Sequence, residues 1–161
     1  MKDDMQRPEA ECNDELLVDD LPLEDQRSVV FHLLYALDTF DYQVTLESIA
    51  DNFAKGYGII IPTTSRVFLE AQAIADEREQ LDLLMMPLLA NWRFDRLGVC
   101  TRIILRLGAW EILRTDTEPI IIINEAIELA KGFAEKDAYK FVNGVLDEIA
   151  KRHKEPASIP E

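Results

Sequence analysis

Two histidines, two cysteines, a pair of glutamates at helical spacing and a pair of arginines one turn apart are the residues whose types could do chemistry in this sequence. Nucleophilic catalysis needs a base beside an activated hydroxyl or thiol. His32 stands instead among apolar residues of a helical stretch and His153 near the polar C-terminus, and neither belongs to a cysteine, serine and acid arrangement that spacing makes specific. A satisfied or solvated imidazole is the expectation for both. Cys12 lies in an acidic stretch and Cys100 at the start of an apolar one, which is neither a disulfide framework nor a zinc spacing. Glu125 and Glu128 share a helical face, but no histidine stands at ligand spacing from them. Gly56 and Gly58 lack the further glycine, the lysine and the hydroxyl residue of a phosphate loop. For Arg102 and Arg106 a structural role is expected over a basic patch for nucleic acid, with Glu111 or the carbonyls of a neighbouring helix end as partners of Arg106. No catalytic residue, metal or cofactor is expected.

Charge narrows the partners. The net charge is −14, and Met1 to Asp25 carries ten acids against two bases, while Asn91 to Glu161 carries twelve against eleven. Such a field repels phosphates at long range and attracts a basic protein, so nucleic acid binding needs a local basic surface or assistance. No run approaches the ~20 consecutive apolar residues of a membrane helix, and the N-terminus opens with acids, so a cytoplasmic protein without a membrane partner is expected.

The elements that must position these residues are helical. With 48% hydrophobic residues in 161, the chain can bury one core without disulfides. Met1 to Asp20 is acidic with little to bury and reads as a disordered tail; 21–152 reads as one helical domain, and 153–161 as a frayed C-terminal end. Pro22 suits a helix start, followed by Val30, Leu33, Leu34 and Leu37 on one face as far as about Phe40. Thr45 can cap a short helix ending before Gly56, with Ile59 to Ile61 extended. Val67, Ala71, Ile74, Arg78, Leu81, Met85, Leu88 and Trp92 follow a seven-residue rhythm, which predicts one long helix that Pro87 bends or splits, Arg78 alone being off type. Cys100, Ile103, Ile104, Leu107, Trp110 and Leu113 form one side of the next helix, which the polar run Thr115 to Glu118 ends. Pro119 opens another with the stripe Ile120, Ile123, Ile127 and Ala130, and Gly132 permits a left-handed end. Asp137 can cap a final helix bearing Ala138, Phe141, Val142, Val145, Leu146 and Ile149; Gly144 within it suggests close approach by another helix or by RNA.

The run Ile123, Asn124, Glu125, Ala126, Ile127, Glu128, Leu129, Ala130, Lys131, then Phe133, and later Asp137, Lys140, Phe141, Val142, Asn143, Gly144, Val145, Leu146, Asp147, resembles the C-terminal signature of the NusB family of bacterial transcription antitermination factors. Ile104, Leu105, Arg106, Leu107, followed by Trp110 and Glu111, is similar to the family's fourth-helix pattern, with tryptophan where tyrosine is usual. The likeness covers about Gln26 to Arg152 in architecture and is specific from about Trp92 to Ala150. It implies an all-α fold, a compact helical domain of two small subbundles without enzymatic activity. It further implies binding to box A-like ribosomal RNA leader sequences together with the NusE ribosomal protein, in an RNA polymerase antitermination complex. A related domain precedes some ribosomal RNA methyltransferases; no catalytic domain follows here, and a free-standing factor is expected.

The resemblance also assigns candidate residues. The family's RNA surface begins with an arginine-rich stretch at the first helix, where this chain reads Leu23, Glu24, Asp25, Gln26, Arg27, so only Arg27 keeps the type. The other half of that surface matches Phe133, Asp137, Lys140, Phe141 and Asn143, with Ala138 and Tyr139 where serine and histidine are common. Lys140 can meet a phosphate, Asn143 a base edge, and Tyr139 or Phe133 can stack on an unpaired base. Each has a structural alternative: Phe133 and Phe141 as core, Asp137 as a cap, Arg27 and Lys140 as solvated helix residues. Tyr35 and Asp95 match the positions that face NusE, and Thr101 stands where better-known members carry glutamate. Lys140 is expected to matter more than Arg27, which two acids flank. The competing reading is a helical protein-interaction factor of the same fold that has lost productive RNA recognition.

Overall fold

The computed structural model describes residues 15–89 and 94–154. The expected tail over 1–14, the end beyond 154 and Trp92 fall outside these. The described residues form seven α-helices and one two-residue parallel ladder: β1 (Leu16–Leu17), α1 (Leu23–Thr39), α2 (Leu46–Tyr57), β2 (Ile59–Ile60), α3 (Arg66–Asp76), α4 (Arg78–Met85), α5 (Val99–Arg114), α6 (Pro119–Phe133) and α7 (Ala138–Lys154). His153 and Lys154 thus continue α7 rather than fraying.

The first part of the chain follows its local signals with one correction. α1 starts behind Pro22 and buries Val29, Val30, Leu33, Leu34 and Leu37. The Thr45 hydroxyl accepts from the Ser48 amide at 3.2 Å, capping α2 as expected. α2 runs through Gly56, and Gly58 ends it in the left-handed conformation at φ 69°. The extended pair Ile59–Ile60 is also as expected. Residues 15–20, however, belong to the fold and not to a tail. Leu16 pairs with Ile59 and Leu17 with Ile60; Val18 is fully buried, and the 3-10 turn Val18–Asp20 rests against α3. The Gln26 side chain secures it, donating to the carbonyls of Asp19 at 3.1 Å and Leu21 at 2.9 Å.

The expected long helix is two helices. α3 is capped by Ser65, whose hydroxyl accepts from the Phe68 amide at 3.2 Å, and it ends at Asp76. Glu77, at φ −91° and ψ 3°, turns the chain before α4 begins. The off-type residue of the heptad, Arg78, marks the break: its guanidinium donates to the Ala75 carbonyl at 2.6 Å and stacks 3.9 Å from the centre of the Tyr42 ring. Ile74, Leu81 and Met85 still reach the core on either side. Pro87 falls in a 3-10 turn after α4.

α5 is the shared wall of the two subbundles. It was expected to bury one face, but seven consecutive positions from Ile103 to Ala109 are buried, because α1, α3 and α4 pack on one side and α6 and α7 on the other. Gly108 is required at that crossing, where a Cβ would stand 2.7 Å from a Leu146 methyl. In α6 the core side is Ile122, Ile123, Ala126 and Ala130, with Ile120 exposed. Gly132 lies within α6, and a Cβ on it or on Gly144 would meet nothing. Neither a left-handed end at Gly132 nor a close helix approach at Gly144 is present.

Candidate functional site

The turn between α6 and α7 gathers four of the expected residues. Asp137 takes φ 67°, a left-handed conformation that aspartate tolerates better than most residues. Its carbonyl accepts from the Lys140 amide at 3.2 Å, and its carboxylate lies 3.7 Å from Lys140 Nζ, both side chains being more than half exposed. Lys140 Nζ is 5.9 Å from the Tyr139 ring centre, and Lys131 Nζ, from α6, is 5.1 Å from it. Two ammonium groups therefore flank one aromatic ring. Asn143 stands one helical turn further along α7, exposed, beside the open surface of Gly144. This patch has what an unpaired nucleotide needs: positive charge for the phosphate, a π face for the base and an amide for its edge. Lys131 was missed in the sequence because its proximity to Tyr139 arises only when the chain reverses between α6 and α7.

Phe133 belongs to a second surface. Its ring stacks on Phe31 at 5.0 Å and meets His32 edge-on at 5.2 Å, while remaining 46% exposed. With Tyr35, Phe53, Tyr57 and Cys100 it lines an aromatic groove of about 560 Å³ between α1, α2 and the ends of α5 and α6. Burial holds the His32 imidazole below its usual range, which favours its neutral form and leaves the groove apolar. Tyr35, the candidate for a partner, thus shares a groove with Phe133, a candidate for RNA. Phe141 is half-buried against the core.

Arg27 stands apart from both surfaces. Its Nη2 donates to Glu111 Oε2 at 2.7 Å and its Nε to Glu111 Oε1 at 2.9 Å, a bidentate pair in which Glu111 is only 4% exposed. Glu125 lies 3.7 Å from Nη1. Glu111 is therefore the partner of Arg27 and not of Arg106. Arg106 clamps both carboxylate oxygens of Asp82 at 2.7 and 2.8 Å, donates to the Tyr42 hydroxyl at 3.3 Å and lies 3.7 Å from Asp38. Arg102 lies 3.9 Å from Asp38. Both have the structural role expected of them.

The Arg27 cluster holds more acid than it can balance. Burial, reinforced by the charge of Glu111, pushes the Glu70 carboxyl from 4.5 up to about 7, against the opposing pull of Arg66 and Arg27. A folded-state value above the unfolded one means that protonated Glu70 favours the fold below about pH 4.5, and that this contribution is lost as pH rises through 7. The Glu70 contribution should fall by about 1–3 kcal/mol between pH 5 and 8. Urea unfolding across that range is expected to show a shallower slope for Glu70→Gln; an unchanged slope would remove Glu70 as the cause.

Of the partner candidates, Asp95 is exposed in the 3-10 turn Phe94–Arg96 ahead of α5. Thr101 is buried and donates its hydroxyl to Glu135 Oε2 at 2.7 Å. The same carboxylate occupies the space that a side chain at residue 98 would take, so the Gly98 position lets Glu135 close over the start of α5. Glu135 thereby places a negative charge at the N-terminus of α5, where the helix dipole favours it. Sequence spacing gave no signal for this, since the two residues are 34 positions apart. Among the described residues no cluster of histidine, cysteine and acid could hold a metal, and no helix is long and apolar enough to cross a membrane.

The NusB family matches residues 24–151. A transcription antitermination protein NusB of Helicobacter hepaticus is 39% identical over 128 residues, 79% of this chain and 80% of that protein. The structure of T. maritima NusB superposes with a TM-score of 0.70 at 32% identity, covering 83% of this chain and 93% of that one. A crystal structure of the antitermination factors NusB and NusE in complex with dsRNA superposes with a TM-score of 0.62 at 26% identity, covering 80% and 96%.

Proposed function

Because this chain belongs to the NusB family, whose members are transcription antitermination proteins and not enzymes, we propose that it acts in the cytoplasm as an RNA-binding antitermination factor. In this reading it joins NusE on box A-like segments of ribosomal RNA leaders within an RNA polymerase antitermination complex, and the helical fold described over 15–89 and 94–154 is the working domain. The observation that carries it is the patch at the α6–α7 turn, where the exposed Lys131, Lys140 and Asn143 surround the half-buried Tyr139 ring and offer phosphate, base-edge and stacking contacts together. Phe133 extends the nucleic acid surface towards the groove, and Asp137 shapes the turn. Tyr35 and Asp95 face NusE, and Glu135 supplies the acid that Thr101 lacks.

A pull-down of leader RNA in the presence of cognate NusE tests the assembly; RNA and NusE are expected together, with weak RNA binding when NusE is left out. Lys140→Ala should weaken RNA binding of the NusE-containing complex about 3- to 10-fold at fixed salt, through loss of a phosphate contact. Its melting temperature should stay the same, since the side chain is 66% exposed. Unchanged RNA affinity would make Lys140 a solvated residue and remove the patch from the interface.

The commitment of Arg27 to Glu111 favours one alternative, an interaction factor that keeps NusE and has lost productive RNA recognition. Recovery of NusE without RNA in the same pull-down would select it.

A further inference from the structure

The Glu135 side chain ties the turn between α6 and α7 to the start of α5. Ala134 ends α6, the Ala138 amide donates to the Glu135 carbonyl at 3.0 Å, and Asp137 takes its left-handed conformation between them. From this turn the Glu135 carboxylate crosses to α5, where Oε2 accepts from the Thr101 hydroxyl at 2.7 Å and the group lies over Gly98. Gly98 brings no side chain to the first amides of α5, so the arriving carboxylate meets a helix start whose donors and dipole suit it. A cavity of about 430 Å³ surrounds the contact, walled by Leu97 and Gly98 on one side and by Lys136, Ala138 and Phe141 on the other. Glu135 is exposed as a residue, and a carboxylate accepts several hydrogen bonds, so a donor from outside can share it with Thr101.

The places that Glu135 joins belong to two different surfaces. Cys100, one residue before Thr101, lines the aromatic groove with Tyr35. Burial, and after it the negative charge of Glu135, push the Cys100 thiol above its usual range, so the carboxylate is felt on the groove side. On the other side Tyr139 and Lys140 follow directly from the turn that Glu135 anchors. We propose that Glu135 is a positioning residue that couples the partner surface to the RNA patch: a cation of a basic partner seated on its carboxylate holds the turn against α5 and so fixes Tyr139 and Lys140 for RNA. The coupling rests on the reading of this chain as an RNA-binding partner of NusE. RNA that binds alone must order the turn itself, whereas with the partner in place that ordering is already done. By reciprocity, RNA strengthens partner binding by the same factor.

The quantity to measure is the ratio of leader RNA affinities with saturating cognate NusE and without it, at fixed salt. Glu135→Gln keeps an acceptor for Thr101 but removes the charge, and should lower that ratio about five-fold. Thr101→Val keeps the buried volume, unties the carboxylate and should lower the ratio as well. Lys140→Ala should weaken both affinities by the same factor, because a phosphate contact is made whether or not the partner is bound. A merely structural brace would likewise change both affinities together and leave the ratio where it was. Without RNA, in Cys12→Ser chains, Glu135→Gln should move the pH profile of Cys100 alkylation by iodoacetamide to lower pH, since loss of the negative charge favours the thiolate. Equal ratios in the parent, Glu135→Gln and Thr101→Val chains would overturn the coupling while leaving RNA binding intact. An unmoved Cys100 profile would overturn it too, by placing the carboxylate away from α5. If the parent chain with NusE bound no leader RNA, the functional reading would fall and the coupling with it.

Discussion

Replacing Arg27 by methionine should lower stability by about 3–5 kcal/mol, the usual cost of stranding a buried charge. The methionine fills most of the space but leaves the Glu111 carboxylate, 4% exposed, without its bidentate partner and close to the half-neutral Glu70. For a chain of this size that corresponds to a fall in melting temperature of roughly 10 °C. Removing both charges in Arg27→Met/Glu111→Leu should restore most of the loss, since an apolar pair no longer strands a carboxylate. Urea unfolding of the two single variants and the double variant measures this. A double variant as unstable as the sum of the singles would show that the pair is not coupled. Any effect of Arg27 on RNA must be read after this loss is known, because the side chain acts first on the fold.

Arg106→Met should cost about 3 kcal/mol for a related reason. Its guanidinium joins α5 to α4 through Asp82 and to the end of α1 through Asp38 and the Tyr42 hydroxyl, with the Phe94 ring 5.4 Å away. Arg106→Lys is expected to regain less than half of the loss, because an ammonium cannot hold both oxygens of Asp82. Full rescue by lysine, in melting curves at matched salt, would show that charge and not the planar fork is what Asp82 needs.

These two arginines show where the sequence was readable and where it was not. The stripes of α1, the Thr45 cap and the proline starting α6 are local signals, and the structure keeps them. The family likeness was readable because its signature runs almost unbroken from Ile123 to Asp147. Arg78 was visible as an interruption of the heptad, but not that Glu77 turns the chain there, since apolar residues on both sides keep one rhythm. Val18 was lost among acids because a two-residue strand followed by a single 3-10 turn has no period. Glu111 is 84 residues from Arg27 and Asp82 is 24 residues from Arg106, so spacing could offer Arg106 only the nearby Glu111 or the carbonyls of a helix end. The patch around Tyr139 was half visible: Lys140 and Asn143 share its helix, whereas Lys131 reaches it only through the fold.

The separation of 84 residues between Arg27 and Glu111 sets an order of events during synthesis. At about 5–20 residues per second, Glu111 follows Arg27 out of the ribosome after roughly 4–17 seconds. Throughout that interval α1 has α2 and α3 to pack against but no α5, and Arg27 stays hydrated. The first four helices can therefore collapse only into an open cradle, and α5, buried on nearly every side in the finished fold, enters it late as a plug. The ion pair closes behind the plug, so substitutions there act mainly on how fast the finished protein reopens and little on how fast the cradle first forms.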